Sequence, residues 1–446
     1  MIQRIAQRLP FYYGWLIVAV VFVTMAFGVN ARTAFSLLFP PILTEFQWDR
    51  GATAGAFSFG FLVSAVITPI LGRIMDKSGP LLVMQSGVLM AAGGMLLAPW
   101  ATEPWHLYLT LGVLVGAGSV CTGYTGQSLF LPNWFARRRG LAVSIAFAGV
   151  GVGSIVLLPL MQRMIDSGGW RSACFALGAV MLVLLVPLNL LVRRHPRDLG
   201  LQPDGDAQPG ASGAAAPARK LTIVDAQWAA VDWTLARAAR TARFWWLGLA
   251  FFAGLWTWYA VQVHQTQYLL EIGFDATQAA WALGWVSLAG VPGQIALGAL
   301  SDRWGREIVW SIGCLGFCMT YALLLVMGTT PSMALLVAMV LVQGALGYGL
   351  TSVMGAIPLE IFEGQHVGSI FGMLMLGGIA GGAVGPWFTG WMHDLTGSYA
   401  IGFAVALGFA LLSIIAIWQA SPGKVRAVAG RPASFNHHHP NRSVDH

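Results

Sequence analysis

Gly72-Arg-Ile-Met-Asp76-Lys-Ser-Gly79 returns 226 residues later as Gly298-Ala-Leu-Ser-Asp302-Arg-Trp-Gly305. Each copy closes one long apolar run and precedes another. Glu45-Phe-Gln-Trp48 and Glu271-Ile-Gly-Phe274 stand at the same offset, so the repeat extends beyond the loop. An apolar chain that repeats itself once in parallel is built from two equivalent halves. The glycines permit a tight turn and close helix approach. The acid of each copy falls at a helix end, where it can meet basic groups or a helix N-terminus.

The composition agrees. Of 446 residues, 57% are hydrophobic and only 10% charged, whereas a soluble domain carries roughly 25% charge. A span needs about 20 apolar residues, which allows about twelve spans. The apolar runs place them near 13–38, 49–72, 80–99, 105–130, 138–162 and 171–193, then 243–268, 277–300, 306–327, 331–357, 366–392 and 397–419. The expected fold is therefore all-α and polytopic, with two pseudo-symmetric six-helix bundles. The N-terminal bundle covers 1–196 and the C-terminal bundle 240–420. Between them, 197–239 is rich in Gly, Ala and Pro and reads as a flexible cytoplasmic linker. The segment 421–446 reads as a disordered cytoplasmic tail.

Twenty-one of the 25 lysines and arginines fall on the side of the two termini and three on the other, with Arg32 left over. That asymmetry predicts both termini inside, in a cytoplasmic (bacterial inner) membrane. The +7 net charge is thus a matter of topology and names no nucleic-acid partner. Met1–Pro10 is basic, but the apolar run after it is too long for a signal peptide and reads as the first span. Nineteen tryptophans suit two interfacial belts. Cys121, Cys174, Cys314 and Cys318 lie in apolar runs without acids or histidines nearby and read as packing residues. His437-His438-His439 reads as part of a solvated tail and not as a metal site.

The doubled G-x-x-x-D-[RK]-x-G pattern resembles the signature loop of the major facilitator superfamily. A second stretch, Trp134-Phe135-Ala136-Arg137-Arg138-Arg139-Gly140-Leu141-Ala142 followed by Ala146 and Ala148-Gly149, narrows the resemblance. It is similar to the start of the fifth helix in the monocarboxylate porters and the related oxalate–formate antiporters. Ser144 stands where that group usually has glycine. Tyr12-Tyr-Gly-Trp15 and Gly116-x-Gly118 with Tyr124 resemble the same group. The resemblance spans roughly residues 11 to 420. It implies a rocking transporter whose inner gate comprises Gly72, Asp76, Gly298, Asp302, Arg303, Arg137 and Arg138.

No acid falls inside a span, and Arg32, in Asn30-Ala-Arg32-Thr33, is the exception among the bases. A charge within a span costs from about 3 to above 10 kcal/mol and usually marks a pathway. The planar guanidinium fits a carboxylate with two hydrogen bonds. Arg32 is therefore a candidate anion anchor, with snorkelling to the outer headgroups as the alternative. The seventh span carries Tyr259, Gln262, His264 and Gln265; these need partners or water and are expected at a cavity. His264 is the one histidine within a span and away from its very start, and the candidate proton site. Asn30, Tyr124, Gln127 and Tyr348 complete the expected substrate-binding set. The resembled porters usually carry an arginine in the eighth span where this chain has Gln294, and the antiporters carry a lysine in the eleventh that is missing here. A glutamine hydrogen-bonds without neutralising, which argues against a dicarboxylate.

These features point to a secondary transporter of a small organic anion, most simply a monocarboxylate, with protons as candidate coupling ions. Alternatives are an anion exchanger, an exporter of a neutral or amphipathic metabolite, and a non-transporting sensor of the same fold. No nucleophile–base–acid set argues for an enzyme, no Gly-Lys-Ser/Thr loop for ATP use, and no residue pattern for a cofactor or metal. The expected partners are the bilayer and the cargo.

Overall fold

A computed structural model describes residues 10–128, 130–135, 139–203, 222–362 and 366–427. Among the described residues, eleven helical stretches are long and apolar enough to cross a membrane. They are α1 (Tyr13–Phe46), α2 (Arg50–Thr68), α3 (Lys77–Trp100), α4 (Pro104–Ser128), the stretch Ile145–Asn189, α7 (Ala242–Glu271), α8 (Ala276–Ser301), α9 (Arg306–Met327), α10 (Met333–Pro358), α11 (Val367–Thr396) and α12 (Ala400–Lys424). Ile145–Asn189 is 45 residues long. It is broken at Gly169, where φ is +77°, and so supplies two spans, α5 and α6. The twelve expected helices are present.

Both copies of the repeated loop end on a glycine in a backbone region closed to other residues. Gly79 has φ +77° and ψ 177°, and Gly305 has φ +107° and ψ 156°. At φ positive and ψ near 180° a Cβ is essentially forbidden. The last glycine of the motif is therefore dictated by the turn.

Within each half, small residues bring one pair of helices into backbone contact. A methyl on Gly149 of α5 would lie 2.2 Å from the Phe22 carbonyl of α1, and one on Gly153 would meet Ala26. In the other half, Gly381 and Gly385 of α11 face the carbonyls of Phe252 and Trp256 of α7, at 1.9 and 2.7 Å from such a methyl. Without a hydrophobic force between helices in lipid, this small-x-x-x-small approach supplies the packing. The halves meet through α2 against α11 and α5 against α8. A methyl on Gly151 would lie 3.0 Å from the Ser287 carbonyl, and Ser154 Oγ donates to Gly284 O at 3.2 Å.

The linker is shorter than its composition predicts. Thr222–Ile223 (β1) pairs antiparallel with Arg426–Ala427 (β2). Trp228 Nε1 donates to Ile361 O at 2.8 Å, its ring lies 4.4 Å from Trp233, and the Arg243 guanidinium sits 4.2 Å above it. Residues 222–239, inside the expected linker, and 421–427, inside the expected tail, thus belong structurally to the C-terminal half. Two tryptophans among the alanines supply the apolar area that the composition hid.

Candidate functional site

A cavity of about 360 Å³ lies between the halves, walled by Tyr124 and Phe147 from the N-terminal half and by Gln294, Gly298, Tyr348 and Ser352 from the C-terminal half. Tyr124 packs edge-on to Phe147 at 5.0 Å, and Tyr348 lies 4.5 Å from Trp258. Three expected binding residues, Tyr124, Gln294 and Tyr348, are therefore brought together. Gly298, expected only at the gate, lines the same space.

Arg32 sits where α1 is interrupted between Thr33 and Phe35. Its Cζ is 3.7 Å from the centre of the Phe61 ring and 5.2 Å from that of Phe57. Its Nη2 is buried without a hydrogen-bond partner, and among the described residues it forms no ion pair. Phe61 in turn packs against Tyr259 of the opposite half at 4.3 Å. Arg32 is absent from the cavity wall. The neighbouring Thr33 is linked to the C-terminal half through Gln262, whose Nε2 lies 3.5 Å from Thr33 Oγ1 and whose Oε1 accepts from Trp258 Nε1 at 3.1 Å. The chain Thr33–Gln262–Trp258–Tyr348 thus runs from the anchor to the cavity.

Other expected residues serve elsewhere. Asn30 donates to Ala26 O at 2.7 Å and Val150 O at 3.0 Å, tying α1 to α5. Gln127 donates to Thr122 O and Met84 Sδ, bracing α4 where it breaks at Gly123. Gln265 is fully buried with neither amide atom partnered. His264 is also fully buried and off the cavity wall; its Nε2 meets Pro386 O at 2.8 Å and its Nδ1 meets Tyr399 Oη at 3.3 Å. With Nε2 donating and Nδ1 accepting, both ring nitrogens of a neutral imidazole are used. Gly72 is helical, Arg137, Arg138 and the side chains of Asp76 and Asp302 lie outside the described residues, and Arg303 is exposed.

His264 belongs to a cluster that the sequence reading did not assemble. On the face away from the termini, Arg50 at the start of α2 reaches Glu271 of α7 at 2.5 Å and Tyr399 Oη at 2.9 Å. His393 lies 3.5 Å from the same Glu271. The Asp394 carboxylate of α11 accepts the backbone N–H groups of Arg50 at 3.0 Å and Gly51 at 2.7 Å, capping α2 from the other half. Arg50, Glu271 and Asp394 all stand at helix ends in the sequence, the one cue to their role. Nearer the middle, Ser36 Oγ lies 2.7 Å from Thr266 Oγ1. The cross-half hydrogen bonds seen among the described residues lie at mid-depth or on this distal side. Near the termini, by contrast, a methyl on Gly368 or Gly372 of α11 would touch nothing within 4 Å. The cross-half contacts hold the distal side closed, and the cavity between the halves lies on the side of the termini.

The model of the Major Facilitator Superfamily matches residues 16–350 and 247–438. Monocarboxylate transporter 13 of Rattus norvegicus is 27% identical over 402 residues, covering 90% of this chain and 87% of the relative. Monocarboxylate transporter 11 of Mus musculus is 26% identical over 411 residues, covering 90% and 85%. Among solved structures, an inward-facing, occupied bacterial homologue of the human lysosomal transporter Spinster superposes with a TM-score of 0.69 at 16% identity, over 92% of this chain and 97% of that one. The nucleoside transporter NupG also gives 0.69, at 14% identity, over 91% and 99%. At such identities the structures speak for the fold alone.

Proposed function

The chain belongs to the major facilitator superfamily as a multi-pass secondary transporter, and we propose that its cargo is a monocarboxylate anchored by Arg32. One observation carries this reading. A guanidinium with a buried, partnerless nitrogen and no counter-ion among the described residues is expensive to keep in a span. A carboxylate would supply both the missing charge and the missing acceptor. The two transporters compared above are named for monocarboxylates, which supports the same class. Gln294 stands in the cavity wall, and among the described residues no cation lines it.

Alternating access follows from the two halves. With the termini placed in the cytoplasm, as the 21-to-3 distribution of lysine and arginine favours, the structure is open inward. Rocking about the mid-depth contacts would break the Arg50–Glu271 side and close the side of the repeated glycine loops. The cargo's carboxylate reaches Arg32 once the Phe61–Tyr259 pair, which spans the two halves, parts. His264 has both nitrogens engaged, so a coupled proton travels more simply with the acid itself, and anion exchange is the other mode the site allows. The test is uptake of labelled lactate, pyruvate, larger hydroxy acids, aromatic acids and oxalate into proteoliposomes, with and without an inward proton gradient. Accumulation of a monocarboxylate that Arg32→Ala abolishes is the expected result. Movement of neutral compounds only, or normal transport by Arg32→Ala, would overturn the reading.

A further inference from the structure

A narrow pocket adjoins the cavity inside the C-terminal half. Ser287 and Tyr348 line both spaces, and the rest of the pocket's wall sets Gln262 and Gln343 among the apolar Trp258, Leu283, Val286 and Phe317. Its free volume is about 10 Å³, room for one non-hydrogen atom of water size. Every residue of the wall is neutral. Gln343 is 4% exposed, and its Oε1 has no hydrogen-bond partner. It opens a π-helical turn, Gln343–Gly347, within α10, a device that recurs at functional sites. The contacts of Ser287 are long. Ser287 Oγ stands 3.3 Å from Leu283 O and 3.5 Å from Tyr348 Oη.

We infer that this pocket is the subsite that reads a neutral hydrogen-bonding group, a hydroxyl, on the transported acid. The inference rests on the reading that Arg32 holds the carboxylate. A charged group would find no counter-charge in the wall, and an alkyl group would leave the buried Gln343 amide oxygen without a donor. Gln262 links the two ends of the site, since its amide lies 3.5 Å from the hydroxyl of Thr33, the residue after Arg32. The cargo is then a monocarboxylate with its polar group toward α8 and α10. In its absence one water fits the space.

The test uses the purified full chain in nanodiscs and two pairs of acids that differ by one hydroxyl: phenylacetate with 4-hydroxyphenylacetate, and 4-methylvalerate with 2-hydroxy-4-methylvalerate. Binding is measured for wild type, Gln343→Leu, Ser287→Ala and Arg32→Gln. Wild type is expected to favour the hydroxylated member of at least one pair by about tenfold or more. Gln343→Leu should bring that ratio to within about twofold by removing the amide. Ser287→Ala should reduce it too, and decides alone should Gln343→Leu not yield monodisperse protein. Arg32→Gln should weaken both members of a pair alike. Equal binding of both members to wild type, or a ratio that survives Gln343→Leu, refutes the subsite and leaves the Arg32 anchor standing. If none of the four acids binds, or Arg32→Gln changes nothing, the monocarboxylate reading itself fails.

Discussion

Replacing Arg50 by glutamine should open the distal side. The side chain makes two contacts there, Nη1 to Glu271 at 2.5 Å and to Tyr399 Oη at 2.9 Å. Hydrogen bonds between charged groups are worth about 1.5–3 kcal/mol when shielded, and fully exposed ion pairs about 0–1 kcal/mol. The Arg50 and Glu271 side chains are 21% and 31% exposed, which places the pair near ~1.5 kcal/mol between those limits. The Tyr399 contact adds about 0.5 kcal/mol. The loss of about 2 kcal/mol shifts the balance between distal-closed and distal-open states roughly 30-fold. The backbone N–H of residue 50 still reaches Asp394, so α2 keeps its cap.

Spin labels at Ser167 and Thr330, exposed in the distal turns of the two halves, report this balance by double electron–electron resonance. Of the native cysteines, Cys121, Cys174 and Cys314 are buried and Cys318 is half-buried. The longer of the two distances should gain population in Arg50→Gln. Asp394→Asn, which weakens the cap on Arg50 and Gly51, should move it the same way, and the double variant should fall short of the sum because both act on one latch. Distance distributions that superimpose for wild type and Arg50→Gln would refute the assignment of this cluster as the lock.

Arg32→Lys should retain a fraction of the transport that Arg32→Ala loses, because an ammonium keeps the charge but not the planar fork; initial uptake rates in proteoliposomes decide it. Gly305→Ala should destabilise by about 1–3 kcal/mol, since φ +107° with ψ 156° admits essentially only glycine, and a fall in thermal midpoint of the detergent-solubilised protein is the readout. His264→Gln should lower that midpoint as well, through loss of the Pro386 and Tyr399 contacts. Its pH dependence of uptake should stay that of wild type; a flattened pH profile would return His264 to the coupling path.

The architecture was legible because lipid leaves few choices. Every backbone group must be satisfied within a helix, so apolar runs, the repeat and the glycine at each loop's end suffice to place twelve spans. Even Gly79 and Gly305 were foreseeable, since both close a motif that demands a tight turn. Convergence was only partly legible. Tyr124, Gln294 and Tyr348 meet at the cavity, whereas Asn30 and Gln127 satisfy nearby backbone carbonyls instead. A polar residue in a span must find a partner, but nothing in its spacing says whether that partner is cargo, water or the next helix. Trp228 and Trp233 mark the other limit: two aromatic residues anchor a stretch whose average composition reads as linker.

The distal lock shows how two near-equivalent halves come to do different work. Glu45 and Glu271 occupy the same place in the repeat. In the N-terminal half, Arg171 meets Glu45 at 2.5 Å and Trp170 Nε1 donates to it at 2.7 Å, so the carboxylate braces α1 to α6 within one rigid body. Counted from the glycine that ends the preceding helix, Gly169 at φ +77° in one half and Gly397 at φ +69° in the other, the counterpart of Arg171 is Tyr399. Tyr399 carries no positive charge, and its hydroxyl accepts from Arg50 Nη1 at 2.9 Å. A tyrosine thus stands where a base would have kept Glu271 inside its own half. His393 at 3.5 Å is the weaker substitute, and the carboxylate turns instead to Arg50 across the interface. The same acid is a brace in one half and a latch in the other, and only the latch has to break for the distal side to open.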